Sequence, residues 1–210
     1  MSDVVLGLAS RLRLAPLTAR YNSTAVLGAF ALLNGFVSIA LMSLLALVTR
    51  EPFIFPSLGP TAFLLFYTPQ TAAASPRNTF SGHLIGAVSG YLALVVFGLT
   101  NAGPATTVGV DAARAGAAGL SLGLTAGLMV WLRVPHPPAG ATTLIVSLGI
   151  LARPEQLAVL MIGVVLLLAQ GFVINRLAGL DYPLWSPRPG PTETASRATN
   201  VIIPEKREGA

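Results

Sequence analysis

The sequence predicts an all-α integral membrane protein with six membrane segments, arranged as two inverted repeats of three segments each. The 210 residues are 53% hydrophobic and only 10% charged, with a mean hydropathy of +0.72, whereas a soluble domain carries about 25% charged residues. Long uncharged runs are present, as membrane spans require. Two proline–glycine breaks lie 81 residues apart. They predict that the middle segment of each repeat is broken, half extended and half helix.

Residues 134–143 form the more prominent break, with three prolines and a glycine between apolar runs. Proline removes a backbone donor, and it disfavours helical geometry in the residue before it. We therefore expect an extended chain through Pro138 and a helix that begins near Ala139 or Gly140. Residues 56–64 show the same pattern.

A shift of 81 residues aligns the two breaks and places Gly59 on Gly140 and Thr61 on Thr142. The same shift superimposes the apolar run 25–48 on 106–129, and it places 80–100 roughly on 161–178. We interpret this agreement as an internal repeat. The predicted parts are an N-terminal interfacial segment, two transmembrane repeats and a disordered cytoplasmic tail, over residues 1–24, 25–100, 101–178 and 179–210.

Charge decides whether the short broken segments cross the membrane or turn back. Eight of the 13 Lys and Arg residues lie in the two tails, counting Arg176, so the positive-inside rule places both termini in the cytoplasm. Six crossings also put Arg77 and Arg133 inside, whereas four crossings with two re-entrant loops put them outside. Three crossings per repeat make the halves inverted, an arrangement in which transporters bind substrate near the midplane at broken helices.

Several function classes are excluded. The chain has no cysteine, which excludes disulfides and thiolate metal sites. No nucleophile–base pair, metal cluster or phosphate loop is visible, so we expect no enzyme activity, metal or cofactor. The net charge of +5 comes from arginines at segment ends and in the tails, which indicates topology rather than a nucleic-acid partner. No cleavable signal peptide is visible, and the first 20 residues are expected at the membrane surface.

The two helix starts form the predicted site. A helix that begins inside the membrane leaves its first N–H groups without intrahelical partners, and these groups and the helix dipole favour an anion. Irregular backbone at this depth is tolerated only where it is buried in protein or lines a cavity, so a polar pathway is expected. The predicted substrate-binding residues are Ser57, Gly59, Thr61, His136, Gly140, Thr142 and Thr143.

Three ionisable residues have both a functional and a structural interpretation. His136 either faces the pathway and titrates, or bonds a backbone carbonyl and holds the turn. His83 lies near the end of a span, where it lines the pathway or serves packing. Arg77 either draws anions to the cytoplasmic mouth or anchors the inside, and we favour the anchor. Glycines spaced at about one helical turn favour close packing, within the chain or between protomers of a homo-oligomer; they are Gly82, Gly86, Gly90, Gly116, Gly119, Gly123 and Gly127.

The breaks and two further motifs resemble the HPP family of integral membrane proteins, over about residues 22–176. The matching motifs are His136-Pro137-Pro138-Ala139-Gly140, residues 56–62, Ser75-Pro76-Arg77-Asn78 and Gly82-His83. The resemblance implies a multi-pass protein of a bacterial-type inner (plasma) membrane. It also implies nitrite as the substrate, because plant and cyanobacterial members are linked to nitrite transport. The family is often described with four membrane segments, and six crossings depart from that description.

We therefore expect a transporter or channel in the lipid bilayer for a small monovalent anion, nitrite before others, bound at the midplane by the half-helix N-termini. Two alternatives stay open. Paired half-helices also suit a channel for a small neutral solute such as urea or water. A non-transporting membrane scaffold would instead recruit a partner through its tails.

Overall fold

The computed structural model describes residues 13–187, which are helical and contain no strand. The predicted features of residues 1–12 and 188–210 lie outside the described residues. In chain order the α-helices are α1 Leu14–Arg20, α2 Ser23–Thr49, α3 Leu58–Tyr67, α4 Pro76–Val96, α5 Ala105–Val108, α6 Ala112–Trp131, α7 Ala139–Ser147 and α8 Pro154–Leu177. A short 3-10 turn, Ala72–Ala74, precedes α4.

Four helices, α2, α4, α6 and α8, are long and apolar enough to cross a membrane. They have 27, 21, 20 and 24 residues, respectively. The helices α3 and α7 have 10 and 9 residues, so each is about 15 Å long, half of a hydrocarbon core of about 30 Å. The all-helical membrane class is thus confirmed, with four full-length spans and two short helices between them.

The α4 helix begins at Pro76, four residues before the predicted apolar run. Ser75 accepts a hydrogen bond from the Asn78 N–H at 3.4 Å, and Pro76 occupies the first turn. Serine at the N-cap followed by proline is a favourable helix start, because both suit backbone groups that lack intrahelical partners. This explains residues 75–78 as a helix-start signal.

The two halves of the chain end their helices at corresponding positions. The pairs of last residues are Thr49 and Trp131, Tyr67 and Ser147, and Val96 and Leu177, separated by 82, 80 and 81 residues. Non-helical residues precede both α3 and α7. In the described chain the non-glycine residues with positive φ are Arg50 at 60° and Arg133 at 56°, one after each long helix that leads into a break. These corresponding helix ends agree with the 81-residue spacing between the two proline–glycine breaks.

Contacts at one end of the bundle determine the directions of several helices. The Leu14 N–H donates to the Ala178 carbonyl at 3.0 Å, just after the end of α8. The Arg77 N–H in the first turn of α4 donates to the Trp185 carbonyl at 3.0 Å. The starts of α2 and α4 therefore lie at the same end as the end of α8, and α4 points in the same direction as α2.

Contacts at the opposite end join α5, α6 and α7. The Ala105 N–H donates to the Leu148 carbonyl at 2.9 Å. Arg114, in the first turn of α6, donates to the carbonyls of Ser147 at 3.2 Å and Gly103 at 2.7 Å. Thus α7 runs beside α4 in the same direction, whereas α3 runs the opposite way, toward the 3-10 turn before α4.

Residues 179–187 pack on the helices, whereas the sequence predicts a disordered tail from residue 179. Tyr182 is fully buried, and its hydroxyl donates to the Ala74 carbonyl at 2.5 Å. Burial raises the pKa of the Tyr182 phenol, which therefore stays a hydrogen-bond donor. The aromatic ring and this hydrogen bond hold the segment at the start of α4.

The first glycine series is a packing face between α4 and α7, as the spacing predicts. A Cβ atom at Gly82 would lie 2.6 Å from the Cβ of His136, and one at Gly86 would lie 2.7 Å from the carbonyl oxygen of Ala139. Gly90 is equally close to α7. Any side chain at these positions would push α7 away from α4, because real Cβ contacts are longer.

The second glycine series is only partly used for packing. A Cβ at Gly116 would meet the ring of Phe97 at 2.5 Å, whereas one at Gly119 or Gly123 would meet nothing within 4 Å. Gly119 and Gly123 are exposed on the outer side of α6. Packing of this outer face against a second protomer stays a prediction.

Candidate functional site

Buried polar side chains gather where α3 and α7 begin beside α4. Thr61 is the fourth residue of α3, and Thr142 is the fourth residue of α7. Both contact His83 of α4: Thr61 Oγ1 lies 2.9 Å from its Nε2, and Thr142 Oγ1 lies 2.7 Å from its Nδ1. The two threonines that the internal repeat aligns therefore hold the two sides of one imidazole.

His136 lies against the same imidazole. The Nε2 atoms of His83 and His136 are 3.2 Å apart, and their ring centroids are 4.8 Å apart. His136 Nδ1 lies 2.7 Å from the Ala73 carbonyl oxygen and 3.4 Å from Thr79 Oγ1. We name the five side chains the histidine–threonine cluster; its members, all 0% exposed, are Thr61, Thr79, His83, His136 and Thr142.

The acceptors around the two rings assign the protons. The Ala73 carbonyl can only accept, so Nδ1 of His136 carries a proton and its Nε2 is an acceptor. The facing Nε2 of His83 then donates, and Nδ1 of His83 accepts from the Thr142 hydroxyl. The two neutral imidazoles thus hold opposite tautomers, with every ring nitrogen hydrogen-bonded.

The cluster lies off the middle of the bundle, although the short helices begin near the middle. Gly86, the eleventh of the 21 residues of α4, faces Ala139 at the start of α7. Leu58, the first residue of α3, lies 3.7 Å from a Cβ built at Gly163, the tenth of the 24 residues of α8. His83 is the eighth residue of α4, about 10 Å from its start. The histidines therefore lie between the two helix starts and the end of the bundle where α4 begins.

Two further predicted binding residues border the cluster with unused hydrogen-bonding groups. The carbonyl of Ser57 accepts from Thr61 Oγ1 at 2.9 Å, but its own hydroxyl has no partner. Thr143, the residue after Thr142, is also buried with an unpartnered hydroxyl. A buried hydroxyl without a partner costs free energy, so both are donors available to a small polar ligand.

The predicted binding glycines do not reach the cluster. Gly59 is exposed, and a Cβ there would meet nothing within 4 Å; one at Gly140 would contact only Leu122 of α6 at 3.6 Å. The first N–H groups of α7 are also not free. Those of Ala139 and Gly140 donate at 3.0 Å to carbonyls three residues earlier, because the chain enters the helix through a tight turn. Side chains, rather than these backbone groups, therefore form the polar site.

Arg77 lies in the first turn of α4, half-buried and outside the cluster. Thr79 was not predicted, although it precedes His83 by four residues and so shares a helical face with it. The contact with the Ala73 carbonyl has no sequence signal, because backbone acceptors are present at every position.

Arg114 lies in the first turn of α6, and its side chain is 2% exposed. Its guanidinium bonds the carbonyl of Ser147, the last residue of α7. A cation at a helix C-terminus interacts favourably with the helix dipole. Arg114 thus caps the C-terminus of α7, the short helix whose first turn contains Thr142.

The cluster offers hydroxyls and imidazoles without a carboxylate. Among residues 13–187, no three His, Cys, Asp or Glu side chains are grouped as a metal site. The acidic residues of this range lie at helix ends or in connections; they are Glu51, Asp111, Glu155 and Asp181. The arrangement can therefore hold and exchange protons and donate hydrogen bonds, and it carries no resident negative charge.

Comparison with known proteins gives three results. A family model described as the HPP transmembrane region matches residues 21–183. A transmembrane protein of Dictyostelium discoideum is 28% identical over 162 residues, which cover 73% of this chain and 53% of that protein. A second transmembrane protein from the same organism is 33% identical over 117 residues, which cover 54% of this chain and 34% of that protein. The match thus spans about half the length of the first relative and about a third of the length of the second. No solved structure matches it.

Proposed function

Since the chain belongs to the HPP family of transmembrane proteins, we propose that it transports a small monovalent anion across the membrane, with nitrite as the first candidate. The histidine–threonine cluster carries the proposal. Ionisable side chains among membrane helices are costly, and they mark substrate or proton pathways by default. Here two histidines meet where two short helices begin between long apolar spans.

The donors for such an anion are side chains. The hydroxyls of Ser57 and Thr143 are buried without partners. The Ser57 carbonyl accepts from Thr61 of the cluster, and Thr143 follows Thr142 in the chain. Hydrogen bonds to an anion are stronger than those between neutral groups. An anion of a few atoms bound here would pair the hydroxyls that are now unsatisfied.

We further propose six crossings, as two inverted repeats with both termini in the cytoplasm of a bacterial-type plasma membrane. The directions of the helices support this topology. Since α2 and α4 begin at the same end of the bundle, a return crossing by residues 50–75 fits their directions. Likewise α6 and α8 both point away from the end where α7 stops, which favours a crossing by residues 132–153.

The topology is tested by cysteine labelling, which is direct because the chain has no cysteine of its own. Gln70 and Asn101 are exposed residues in the connections on either side of α4. Six crossings place Gln70→Cys on the cytoplasmic side and Asn101→Cys on the other. A membrane-impermeant maleimide added to intact cells should label only Asn101→Cys. Labelling of Gln70→Cys alone would contradict six crossings with both termini in the cytoplasm.

One observation favours a second candidate, a channel for a small neutral solute. In the neutral tautomers assigned above, all four ring nitrogens are hydrogen-bonded and the site has no net charge. The first N–H groups of α7 are bonded as well. A pathway of uncharged groups suits a solute such as urea better than a permanent anion.

Uptake into proteoliposomes distinguishes the candidates. Purified full-length protein is reconstituted, and the uptake of nitrite, nitrate, chloride, formate and urea is measured against protein-free vesicles, with the membrane potential clamped. Saturable nitrite uptake, reduced at least tenfold by His136→Gln but unchanged in Ser89→Ala, is the expected result. Ser89 is a matched control because it is buried on α4 without a hydrogen-bond partner. Uptake of urea without any anion would overturn the anion proposal.

A further inference from the structure

We propose that His83 and His136 together form the binding site of a transported proton, and that one proton moves with each anion, so that transport is electroneutral. This inference rests on the proposed anion transport and adds its coupling ion. It follows from three features of the histidine–threonine cluster. The added proton has a ring nitrogen to bind, the Thr142 hydroxyl can rotate from donor to acceptor, and no acidic side chain of the described residues contacts the two rings.

The added proton has a defined place. In the neutral pair Nδ1 of His83 accepts from the Thr142 hydroxyl at 2.7 Å. A proton on this nitrogen turns it into a donor, and the Thr142 oxygen can accept it if the hydroxyl rotates. The contact between the two Nε2 atoms, 3.2 Å apart, keeps its one proton. The pair can thus gain a proton without movement of either ring.

The repeat shows where the rotated hydroxyl would point. Thr61, the counterpart of Thr142, already donates to the carbonyl four residues earlier, that of Ser57, at 2.9 Å. The carbonyl four residues before Thr142 belongs to Pro138. The hydrogen bond that it accepts from the Thr142 N–H is long, at 3.4 Å. Thr142 can therefore adopt the arrangement that Thr61 already has, and its hydrogen keeps an acceptor.

The protonated pair would lack a counter-charge. The groups that contact the two rings are hydroxyls of α3, α4 and α7 and the carbonyl of the 3-10 turn. Within residues 13–187, each imidazole contacts one titratable group, which is the other imidazole. The acidic residues of this range lie at helix ends or in connections. Burying an unpaired ion costs several kcal/mol, so a proton and an anion bound together stabilise each other.

Charge and protons balance in each cycle. An anion and a proton are taken up on one side, the proton on Nδ1 of His83 and the anion beside the positive pair. Both leave on the other side, and the Thr142 hydroxyl rotates back. No bond other than those to the proton forms or breaks, nothing is oxidised, and the net charge moved is zero.

The chain contains only two histidines, so ¹⁵N-histidine labelling observes this pair alone. Full-length protein with a histidine-free tag is placed in lipid nanodiscs and studied by NMR with and without nitrite. Without nitrite at neutral pH, we expect one histidine protonated on Nε2 and the other on Nδ1. With nitrite, one ring should become doubly protonated at a pH where the ligand-free pair stays neutral. Rings that stay neutral while nitrite is bound would overturn the proton site.

Binding and flux provide the second test. Uptake of one proton per anion makes the apparent Kd for nitrite rise about tenfold for each unit of pH increase, because one pH unit corresponds to about 1.4 kcal/mol. His83→Gln keeps an amide donor but cannot titrate, so its nitrite binding should lose this dependence, whereas Ser89→Ala should retain it.

Nitrite uptake should also acidify the vesicle interior, measured with a trapped pH dye against protein-free vesicles. The outcomes separate the two proposals. Anion uptake that carries current and is independent of pH would overturn the proton coupling and leave anion transport in place. If no anion is taken up at any pH, anion transport is overturned, and the proton coupling with it.

Discussion

The close packing of α4 on α7 makes a sharp prediction for Gly86→Ala. The new Cβ would lie 2.7 Å from the Ala139 carbonyl oxygen and 3.4 Å from the Thr142 side chain, whereas ordinary contacts are 3.4–4 Å. The first turn of α7 must therefore move by roughly 0.7 Å, and overpacking of this kind costs about 1–3 kcal/mol. The better helix propensity of alanine returns at most about 1 kcal/mol.

A net loss of about 1 kcal/mol should lower the Tm by roughly 2–4 °C for a chain of this size. Thermal unfolding of the full-length protein in detergent micelles measures it. Because the shift displaces Thr142 from His83, nitrite uptake should fall as well. The matched control is Gly123→Ala on α6, where a Cβ meets nothing within 4 Å; its Tm should equal or exceed that of the wild type. Equal Tm values for Gly86→Ala and Gly123→Ala would refute the close packing of α4 on α7.

Three other substitutions test single hydrogen bonds. Thr142→Val leaves a buried ring nitrogen of His83 unpaired, which should cost about 1–3 kcal/mol and shift the ¹⁵N resonances of that ring; unchanged resonances would contradict the assigned tautomer. Arg114→Met removes the cation from the end of α7, and the Tm should fall by several degrees, whereas an unchanged Tm would show that the guanidinium contributes nothing there. Tyr182→Phe removes the donor to the Ala74 carbonyl, and the loss of about 1 kcal/mol should appear as a lower Tm and easier proteolysis after residue 178; wild-type resistance would count against the packed segment.

Local signals predicted much of the fold. Apolar runs predicted four long helices, because the hydrocarbon core demands such runs. The prolines of residues 134–138 predicted a helix start near Ala139, and α7 begins there, because proline cannot continue a helix but suits its first turn. The membership of the HPP family is confirmed by the match over residues 21–183.

The site was predicted less well, since its contacts join distant parts of the chain. Thr61 and Thr142 were named for their place at the helix starts, yet nothing local shows that both contact His83, 22 and 59 residues away. Gly59 and Gly140 were named because a helix start exposes N–H groups. The tight turn into α7 satisfies those groups instead, and a turn of this kind depends on backbone angles that the residue types alone do not specify.

The sequence by itself determined the membrane class and the helix start near Ala139, because hydrophobicity and proline chemistry are properties of residues and their order. Only the tertiary structure decided that His83 and His136 share one buried contact, that their acceptors assign opposite tautomers, and that Arg114 closes the far end of α7. The physical reason is that a hydrogen bond needs two groups within about 3 Å. Which groups meet at that distance is decided by how the helices pack.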